Sequence, residues 1–187
     1  MEEIILASGS PRRKQLLELA GIPFRVVVKE TAESYPSELS VPEIAMHIAR
    51  NKAVAVKDSL SVSQTILAAD TIVVIDSHIL GKPIDRADAI RILNLLSGRT
   101  HQVITGVSIL MKDKEISFCE ITEVTFKTLS ASQIEYYIDT FKPYDKAGAY
   151  AIQEWIGVVG ITSIKGDYYN VMGLPINRIF DIPDMKR

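Results

Sequence analysis

Short apolar runs alternate with stretches of helical spacing along the first part of the chain. Ile4 to Ala7 and Phe24 to Val28 are mostly apolar runs that predict two short strands. Between them, Pro11 to Ala20 has helical spacing and is followed by Gly21, a residue that commonly ends helices. The residues that we expect this helix to turn toward the core are its leucines: Leu16, Leu17 and Leu19.

A second helix and a long apolar strand are predicted next. Pro42 to about Asp58 has helical spacing, and the run from Ile66 to Ile75 predicts a buried strand that contains one carboxylate, Asp70. A turn is expected from Asp76 to His78. The residues of the inward helical stripe are Ala45, Ile48, Ala49, Lys52 and Val56.

The second half of the chain predicts a mixture of helices, strands and a hairpin. Asp85 is placed to cap a helix that runs to Ser97 and ends at Gly98. Gln102 to Met111 is expected to pair with Ile116 to Lys127 in a long hairpin. The remaining predicted elements are a helix from Ser132 to Phe141, a strand from Val158 to Ile164 and a final helix from Leu174 onwards.

This order of elements predicts an α/β fold with a mixed, twisted sheet and not a purely parallel one. The sequence has no internal repeat, low-complexity tract or flexible linker, so residues 1–187 are expected to form a single domain.

Composition narrows the class of protein. The 187 residues are 47% hydrophobic and 24% charged, with a net charge of −2, which is typical of a globular protein. This balance does not indicate binding to nucleic acid or to a membrane surface. One cysteine, Cys119, excludes an internal disulfide and a cysteine-rich zinc site. An acidic start and the lack of an apolar run of ~18 residues predict a cytoplasmic protein without a membrane span.

The first segment with chemical character lies between the first strand and the first helix. Gly9 suits a tight turn, Ser10 suits the N-cap and Pro11 suits the first helical position. The hydroxyls of Ser8 and Ser10 and the unpaired backbone N–H groups of the helix start could bind an anion.

The charge of that helix start has the opposite sign to the usual one. Arg12, Arg13 and Lys14 crowd the positive end of the helix dipole, where acidic residues are normally favoured. A bound polyanion such as a phosphate group would resolve the conflict, since arginine presents paired donors to paired oxygens. The alternative is a solvated basic first turn.

Asp70 is the best catalytic candidate that the residues offer. A carboxylate inside an apolar strand is costly unless it is paired, hydrogen-bonded or bound to a cation. The alternative is a structural salt bridge.

Three further charged residues have two interpretations each. Lys52 lies on the inward stripe and needs a counter-charge, or else its ammonium group extends past small side chains to solvent. Lys82, between Gly81 and Pro83, is either a functional cation or an ordinary surface lysine. Glu33 could join Asp70 around a hard cation such as magnesium, or be solvated in its loop.

The familiar P-loop, dinucleotide, zincin and serine-hydrolase motifs are absent from the sequence, so the phosphate site must be of another kind. Seven ordered blocks stand out instead: Ser8 to Arg13, Asn51 to Ala53, Ala69 to Thr71, Gly81 to Pro83, Leu96 to His101, Asp145 to Gln153 and Gly166 to Pro175. In this order, the blocks resemble the Maf family of nucleoside triphosphate pyrophosphatases, first known as septum-formation inhibitors.

The resemblance implies a fold similar to inosine triphosphate pyrophosphatases, with an elongated mixed sheet and helices around a central cleft. It implies hydrolysis of a nucleoside triphosphate to the monophosphate and pyrophosphate, with Mg²⁺ or Mn²⁺ as cofactor. Asp70 matches the family's proton acceptor, Arg13, Lys52 and Lys82 match its phosphate-contacting cations, and Glu33 matches a carboxylate of the cleft, which with Asp70 would hold the metal.

Base preference is implied by three more residues, because Arg12, Thr71 and Gln153 match the branch that acts on dTTP and UTP, with modified pyrimidine triphosphates as further candidates. The Gln153 amide offers a donor and an acceptor that can pair with O4 and N3–H of such a base, whereas cytosine presents the reversed pattern. The alternative is that Gln153 only closes a turn. Relatives commonly have glycine after this glutamine, whereas this chain has Glu154 followed by Trp155.

Other functions are weighed against this one. A nucleotide-binding regulator of septum formation, in which hydrolysis is incidental, is the runner-up. Binding of nucleic acid through the N-terminal arginines is the weakest alternative, since the basic cluster is local. The long hairpin offers an edge for a homodimer.

Overall fold

The chain folds as an α/β protein with a mixed sheet. The computed structural model describes residues 2–60 and 64–185. The strands of these residues are β1 (Ile4–Leu6), β2 (Phe24–Val26), β3 (Ile66–Ile75), β4 (His78–Leu80), β5 (Thr100–Leu110), β6 (Glu115–Phe126) and β7 (Ile161–Lys165). The helices are α1 (Pro11–Leu19), α2 (Val41–Lys57), α3 (Arg86–Leu96), α4 (Ala131–Phe141), α5 (Trp155–Gly160), α6 (Tyr168–Met172) and α7 (Ile176–Phe180).

Within the described residues the strands form one seven-stranded sheet in the order β2-β1-β3-β5-β6-β7, with β4 paired to β3. Strand β1 runs parallel to both β2 and β3, whereas the pairs β3–β4 and β6–β7 are antiparallel. Parallel and antiparallel pairs in one sheet, with helices flanking it, confirm the predicted mixed α/β fold.

The chain divides into two compact units. The first consists of the described parts of Met1–Thr71, Thr105–Glu120 and Gly173–Arg187, and the second of Ile72–Ile104 and Ile121–Met172. Strands β3, β5 and β6 contribute residues to both. The single domain and the central cleft expected from the sequence stay predictions.

The core of the first unit lies between α2 and the strands β1, β3 and β5. Ala45, Ile48, Ala49 and Val56 of α2 are all buried, as the helical stripe predicts. A Cβ added to Gly106 of β5 would overlap the backbone of Ala45, so helix and strand are in direct backbone contact there. One cluster of this core is formed by Ile5, Ala7, Ala53, Val56, Ile66, Ala68 and Leu110.

Local capping explains where several helices begin and end. The Asp85 carboxylate accepts from the Asp88 N–H at 2.8 Å and so caps α3, as predicted. Gly98 has φ +72° after the end of α3, in the left-handed region that glycine adopts without strain. Before α2, the Ser40 N–H donates to Glu43 Oε2 at 2.8 Å.

The prediction that Leu19 faces the core is wrong. Its side chain is 72% exposed, whereas Leu16 and Leu17 are 2% and 0% exposed. Arg13 shares their side of α1 and is also buried. The buried face of the helix therefore contains an arginine in place of the third leucine.

The predicted strand from Val158 to Ile164 is wrong over its first three residues. These belong to α5, which begins after Glu154, and pairing of β7 with β6 starts at Ile161, opposite Phe126. A Cβ on Gly157 would overlap the carbonyl of Ile152, so a tight approach that glycine permits overrides the strand preference of the neighbouring valines.

Two further details differ from the sequence-based expectation. The expected turn ends one residue early, since Asp76 and Ser77 adopt positive φ and His78 already pairs with Ile75 in the unpredicted strand β4. The final helix expected from Leu174 onwards is α7, which begins two residues later at Ile176, and the short helix α6 before it is not predicted; Gly173, with φ +114°, separates the two helices.

No helix in the described residues is both long enough and apolar enough to cross a membrane.

Candidate active site

The side chain of Arg13 is held by three parts of the first unit. Its Nε donates to the carbonyl of Gly173 at 2.8 Å, Nη1 donates to Ser8 Oγ at 2.9 Å and Nη2 donates to Thr71 Oγ1 at 3.0 Å. These bonds use three of the five N–H donors of a guanidinium and fix its plane. Arg13 is therefore a rigid cation at the start of α1.

Burial determines the electrostatics of Arg13. Desolvation lowers the pKa of Arg13 to about 10, opposed by the negative charges of Asp70 and Glu33 and assisted by the positive charge of Arg12. Arg13 stays protonated at neutral pH. A buried positive charge beside a helix N-terminus favours an anion as ligand.

The hydroxyl of Ser10 does not cap α1 in the described structure, although Ser10 occupies the predicted N-cap position. The Ser10 N–H donates instead to Ser8 Oγ at 3.3 Å, so Ser8 organises both the turn and Arg13. Arg12 is half-buried on the same first helical turn.

Lys52 connects two carboxylates. Its Nζ donates to Asp70 Oδ1 at 2.6 Å and to Glu33 Oε1 at 3.1 Å. The side chains of Lys52 and Asp70 are 20% and 15% exposed, whereas that of Glu33 is 56% exposed. The counter-charge that an inward lysine needs is thus Asp70, and Asp70 is a paired carboxylate within an apolar strand.

The backbone of the first unit explains why this pair forms. Lys52 lies two helical turns after Ala45 on the same face of α2, and Ala45 is the residue whose backbone touches Gly106. Since β5 neighbours β3, the helix passes close to the strand that contains Asp70. A lysine at this position reaches the carboxylate directly.

The two carboxylates also fit a hard divalent cation. Oxygen ligands suit Mg²⁺ and Mn²⁺, and Mg²⁺ in nucleotide sites usually takes one or two carboxylates with phosphate oxygens and waters. Asp70 and Glu33 already converge on one positive charge, the ammonium group of Lys52. Among the described residues no group of three or more His, Cys, Asp or Glu is arranged to hold a metal, so substrate oxygens would have to complete the shell.

Thr105, which contacts Thr71 beside Arg13, is a site residue that the sequence pattern did not predict. Its hydroxyl and that of Thr71 lie 3.0 Å apart, and Thr105 is 0% exposed. Thr71 thereby contacts both Arg13 and Thr105. The only sequence signal was a hydroxyl residue inside the apolar run of β5, which needs a hydrogen-bond partner when buried.

Lys82 and Gln153 lie in the second unit. Lys82 is exposed, and its loop is held by the buried Pro83 and by the Gly81 carbonyl, which accepts from the Gly148 N–H at 3.2 Å. Gln153 is exposed in a turn closed by the Glu154 N–H, which donates to the Ala151 carbonyl at 3.1 Å.

The residue after Gln153 has defined partners in the second unit. The carboxylate of Glu154 accepts from the Tyr137 hydroxyl and lies 3.5 Å from Lys146 Nζ. The departure from the usual glycine therefore adds an ionic contact to the turn.

The first unit thus gathers most of the predicted site residues, and Lys82 and Gln153 are described within the second unit alone. The residues of the first unit are Ser8, Ser10, Arg12, Arg13, Glu33, Lys52, Asp70 and Thr71.

Comparison with known proteins decides the family. The model of the family described as Maf, Maf-like protein, matches residues 3–183. The chain belongs to the Maf family. The match covers nearly the whole of this Maf chain and includes all seven residue blocks on which the resemblance rests.

Three relatives of this Maf protein share one name. A dTTP/UTP pyrophosphatase of Cytophaga hutchinsonii is 54% identical over 179 residues, covering 96% of this chain and 82% of that protein. Proteins of the same name from Bacillus anthracis and Phocaeicola vulgatus are 51% and 49% identical, covering 96% and 95% of this chain and 93% of each relative.

A solved structure described as nucleoside-triphosphatase / dITP/XTP pyrophosphatase, from Mycobacterium abscessus, aligns with a TM-score of 0.41 and 15% identity. The alignment covers 70% of this chain and 75% of that chain. A likeness of this size does not establish a shared fold.

Proposed function

We propose that this Maf protein is a nucleoside triphosphate pyrophosphatase that hydrolyses dTTP and UTP to the monophosphate and pyrophosphate. The observation that carries the proposal is the contact of Lys52 with Asp70, which holds a carboxylate in an apolar strand beside a buried arginine. Relatives that share about half of their residues with this chain, and whose names state this activity, support the same reaction.

Asp70 acts as the general base in the proposed mechanism. Lys52 donates to Oδ1 and orients the carboxylate, which accepts a proton from water. The water oxygen attacks the α-phosphorus, the bond from that phosphorus to the bridging oxygen breaks, and pyrophosphate leaves with the bond's electron pair. The alternative role of Asp70 as a metal ligand uses the same side chain.

Cations stabilise the charge that develops on the departing pyrophosphate. Arg13 commits one N–H of each terminal nitrogen to Ser8 and Thr71, and the second N–H of each would donate to phosphate oxygens. The helix start with Ser8 and Ser10 supplies further donors, and Lys82 and Lys52 supply positive charge.

Asp70 and Glu33 are the residues that would hold Mg²⁺ or Mn²⁺. When bound, such an ion neutralises negative charge on the triphosphate. The oxygen donors and the convergence of both carboxylates on one cation support this assignment.

Gln153 is the proposed base reader, together with Arg12 and Thr71. The amide of Gln153 would donate to O4 and accept from N3–H of thymine or uracil, and cytosine would leave both groups mispaired. An exposed position in a closed turn supports a role in contact with substrate.

The direct test is pyrophosphate release from a nucleotide panel with Mg²⁺ or Mn²⁺. We expect dTTP and UTP to be hydrolysed faster than CTP, ATP and GTP, and the panel includes pseudouridine and 5-methyl pyrimidine triphosphates. Tight nucleotide binding without turnover would contradict the enzyme and favour a regulator of septum formation. The cytoplasmic location and the homodimer stay predictions.

A further inference from the structure

The hydroxyl of the buried Tyr137 forms hydrogen bonds with both ends of the turn that contains Gln153. The Ala151 N–H donates to Tyr137 Oη at 3.1 Å, and the Tyr137 hydroxyl in turn donates to Glu154 Oε2. Tyr137 thereby bridges the first and last residues of the turn, and its side chain is 0% exposed. A hydroxyl with one acceptor role and one donor role is well matched to this position.

An ion pair with the buried Lys146 contacts the other oxygen of the same carboxylate. Lys146 is 8% exposed, and its Nζ lies 2.7 Å from Asp145 Oδ1 and 3.5 Å from Glu154 Oε1. Each oxygen of Glu154 therefore has its own partner, Tyr137 or Lys146. A carboxylate held at both oxygens loses its rotational freedom.

The turn is also closed along the backbone. Glu154 N–H donates to the Ala151 carbonyl at 3.1 Å, and the Gly157 N–H donates to the Glu154 carbonyl at 2.9 Å. A side chain at Gly157 would overlap the Ile152 carbonyl, so the start of α5 packs tightly against the turn. Gln153 itself is exposed and makes none of these contacts in the described structure.

We propose that Tyr137, Lys146 and Glu154 are positioning residues for base selection, which hold the turn so that Gln153 presents its amide in a single orientation. The proposal rests on the proposed function, because it assigns Gln153 to the base. The amide donor and acceptor of Gln153 must meet two base atoms at once. If the turn is mobile, we expect the preference between bases to be lost before hydrolysis is.

The test replaces the bridging hydroxyl with hydrogen, as Tyr137→Phe. We expect the ratio of kcat/KM for UTP to that for CTP to fall about tenfold, the effect of one lost hydrogen bond, with a raised KM for UTP. The kcat for UTP should stay within about twofold, because uniform binding and not the chemical step is affected. The Ala151 amide should also exchange its hydrogen faster.

Tyr136→Phe is the matched control, since Tyr136 precedes Tyr137 on α4, is 51% exposed, and keeps its ring contact with Trp155 as phenylalanine. It should leave the base ratio and the exchange rate unchanged. If Tyr137→Phe does not fold, Glu154→Gln keeps the shape of the side chain, removes its charge and should lower the same ratio. An unchanged ratio in a folded variant overturns the proposal.

Failure of the proposed function has a different signature. If the wild-type protein does not hydrolyse UTP, calorimetric binding of UTP and CTP without metal replaces turnover. A preference for UTP that Tyr137→Phe weakens supports the positioning role although hydrolysis has failed. Binding of neither nucleotide, or equal binding of both by the wild-type protein, overturns the positioning role together with the base assignment.

Discussion

Lys52 of α2 donates through Nζ to Oδ1 of Asp70 on β3 at 2.6 Å. Both side chains are largely withdrawn from water, and Lys52 also contacts the more exposed Glu33. A pair of this kind contributes little net stability unless its geometry is good, and it is costly to break by removing one partner. The contact is therefore the first place to separate catalysis from folding.

Asp70→Asn should fold normally and lose turnover. The amide oxygen can still accept from Lys52, but it cannot take a proton from water, so we expect kcat for dTTP to fall by roughly 10² to 10⁴-fold. Pyrophosphate release and a urea unfolding curve measure the two effects. Asp113→Asn, in the exposed turn between β5 and β6, is the control. A folded Asp70→Asn with wild-type turnover would rule out Asp70 as the base.

Lys52→Met should affect stability and activity together. Without the ammonium group, Asp70 loses its 2.6 Å ion pair and Glu33 loses its 3.1 Å contact, and we expect the free energy of unfolding to fall by about 1–3 kcal/mol. Urea denaturation measures the change. Lys57→Met, at the exposed end of the same helix, should be within about 0.5 kcal/mol of wild type. Equal stability of the two variants would show that the pair does not support the fold.

Gln153→Glu should weaken recognition of uracil and leave folding intact. The substitution removes the amide donor that pairs with O4, so kcat/KM for UTP is expected to fall by roughly 10²-fold. A kinetic comparison of UTP with CTP checks the result. The matched charge change at the exposed Gln102, Gln102→Glu, should have no such effect. Unaltered base preference would remove Gln153 from the base site.

His101 predicts a pH dependence of stability. Burial lowers the pKa of His101 from 6.5 to about 4, and its Nε2 lies 2.7 Å from the Tyr150 hydroxyl. Between these two pKa values the unfolded chain binds a proton that the folded chain does not. The free energy of unfolding should therefore fall as the pH drops from 6.5 to 4, by up to about 3 kcal/mol.

Carboxylates titrate in the same pH range as His101. Unfolding curves at several pH values are therefore compared between wild type and histidine variants to isolate the contribution of His101. His101→Gln should show a shallower loss of stability toward acid than wild type, whereas His78→Gln, at an exposed position, should keep the wild-type slope. Identical slopes for wild type and His101→Gln would mean that His101 is accessible to protons in the folded protein.

Gly106→Ala should be strongly destabilising. The added methyl group meets the backbone of Ala45, which cannot move as a flexible side chain could, and we expect a cost above about 3 kcal/mol. Gly81→Ala is the control for stability, because a Cβ at Gly81 meets nothing within 4 Å and its φ is not positive. Thermal unfolding compares the two, and a stable Gly106→Ala would exclude the close backbone contact.

Periodicity predicted the elements that form the Lys52–Asp70 contact, because both are long and strongly patterned. Helical spacing alone placed Lys52 on the inward face of α2, and the apolar run marked Asp70 as a buried carboxylate. The match of α2 and β3 to their predicted bounds reflects this strength of pattern. Each of the two elements is predicted from its own sequence pattern, without information on the element that it packs against.

The missed features depend on residues that are distant in sequence. Arg13 bonds to Gly173, 160 positions away, and Thr71 to Thr105, 34 positions away, so no local pattern could reveal either contact. Val158 has a strong strand preference, yet it is helical because Gly157 packs on the Ile152 carbonyl. Tertiary contacts decide such positions.

The approach of Gly106 to Ala45 has a consequence for how the sequence can vary. The spacing between α2 and the sheet is set at that point by two backbones in contact, with no side chain as a spacer. Neighbouring core residues can therefore exchange one apolar side chain for another without changing how far Lys52 must reach. The distance between Lys52 and Asp70 should therefore tolerate substitutions among the core residues, provided that position 106 remains glycine.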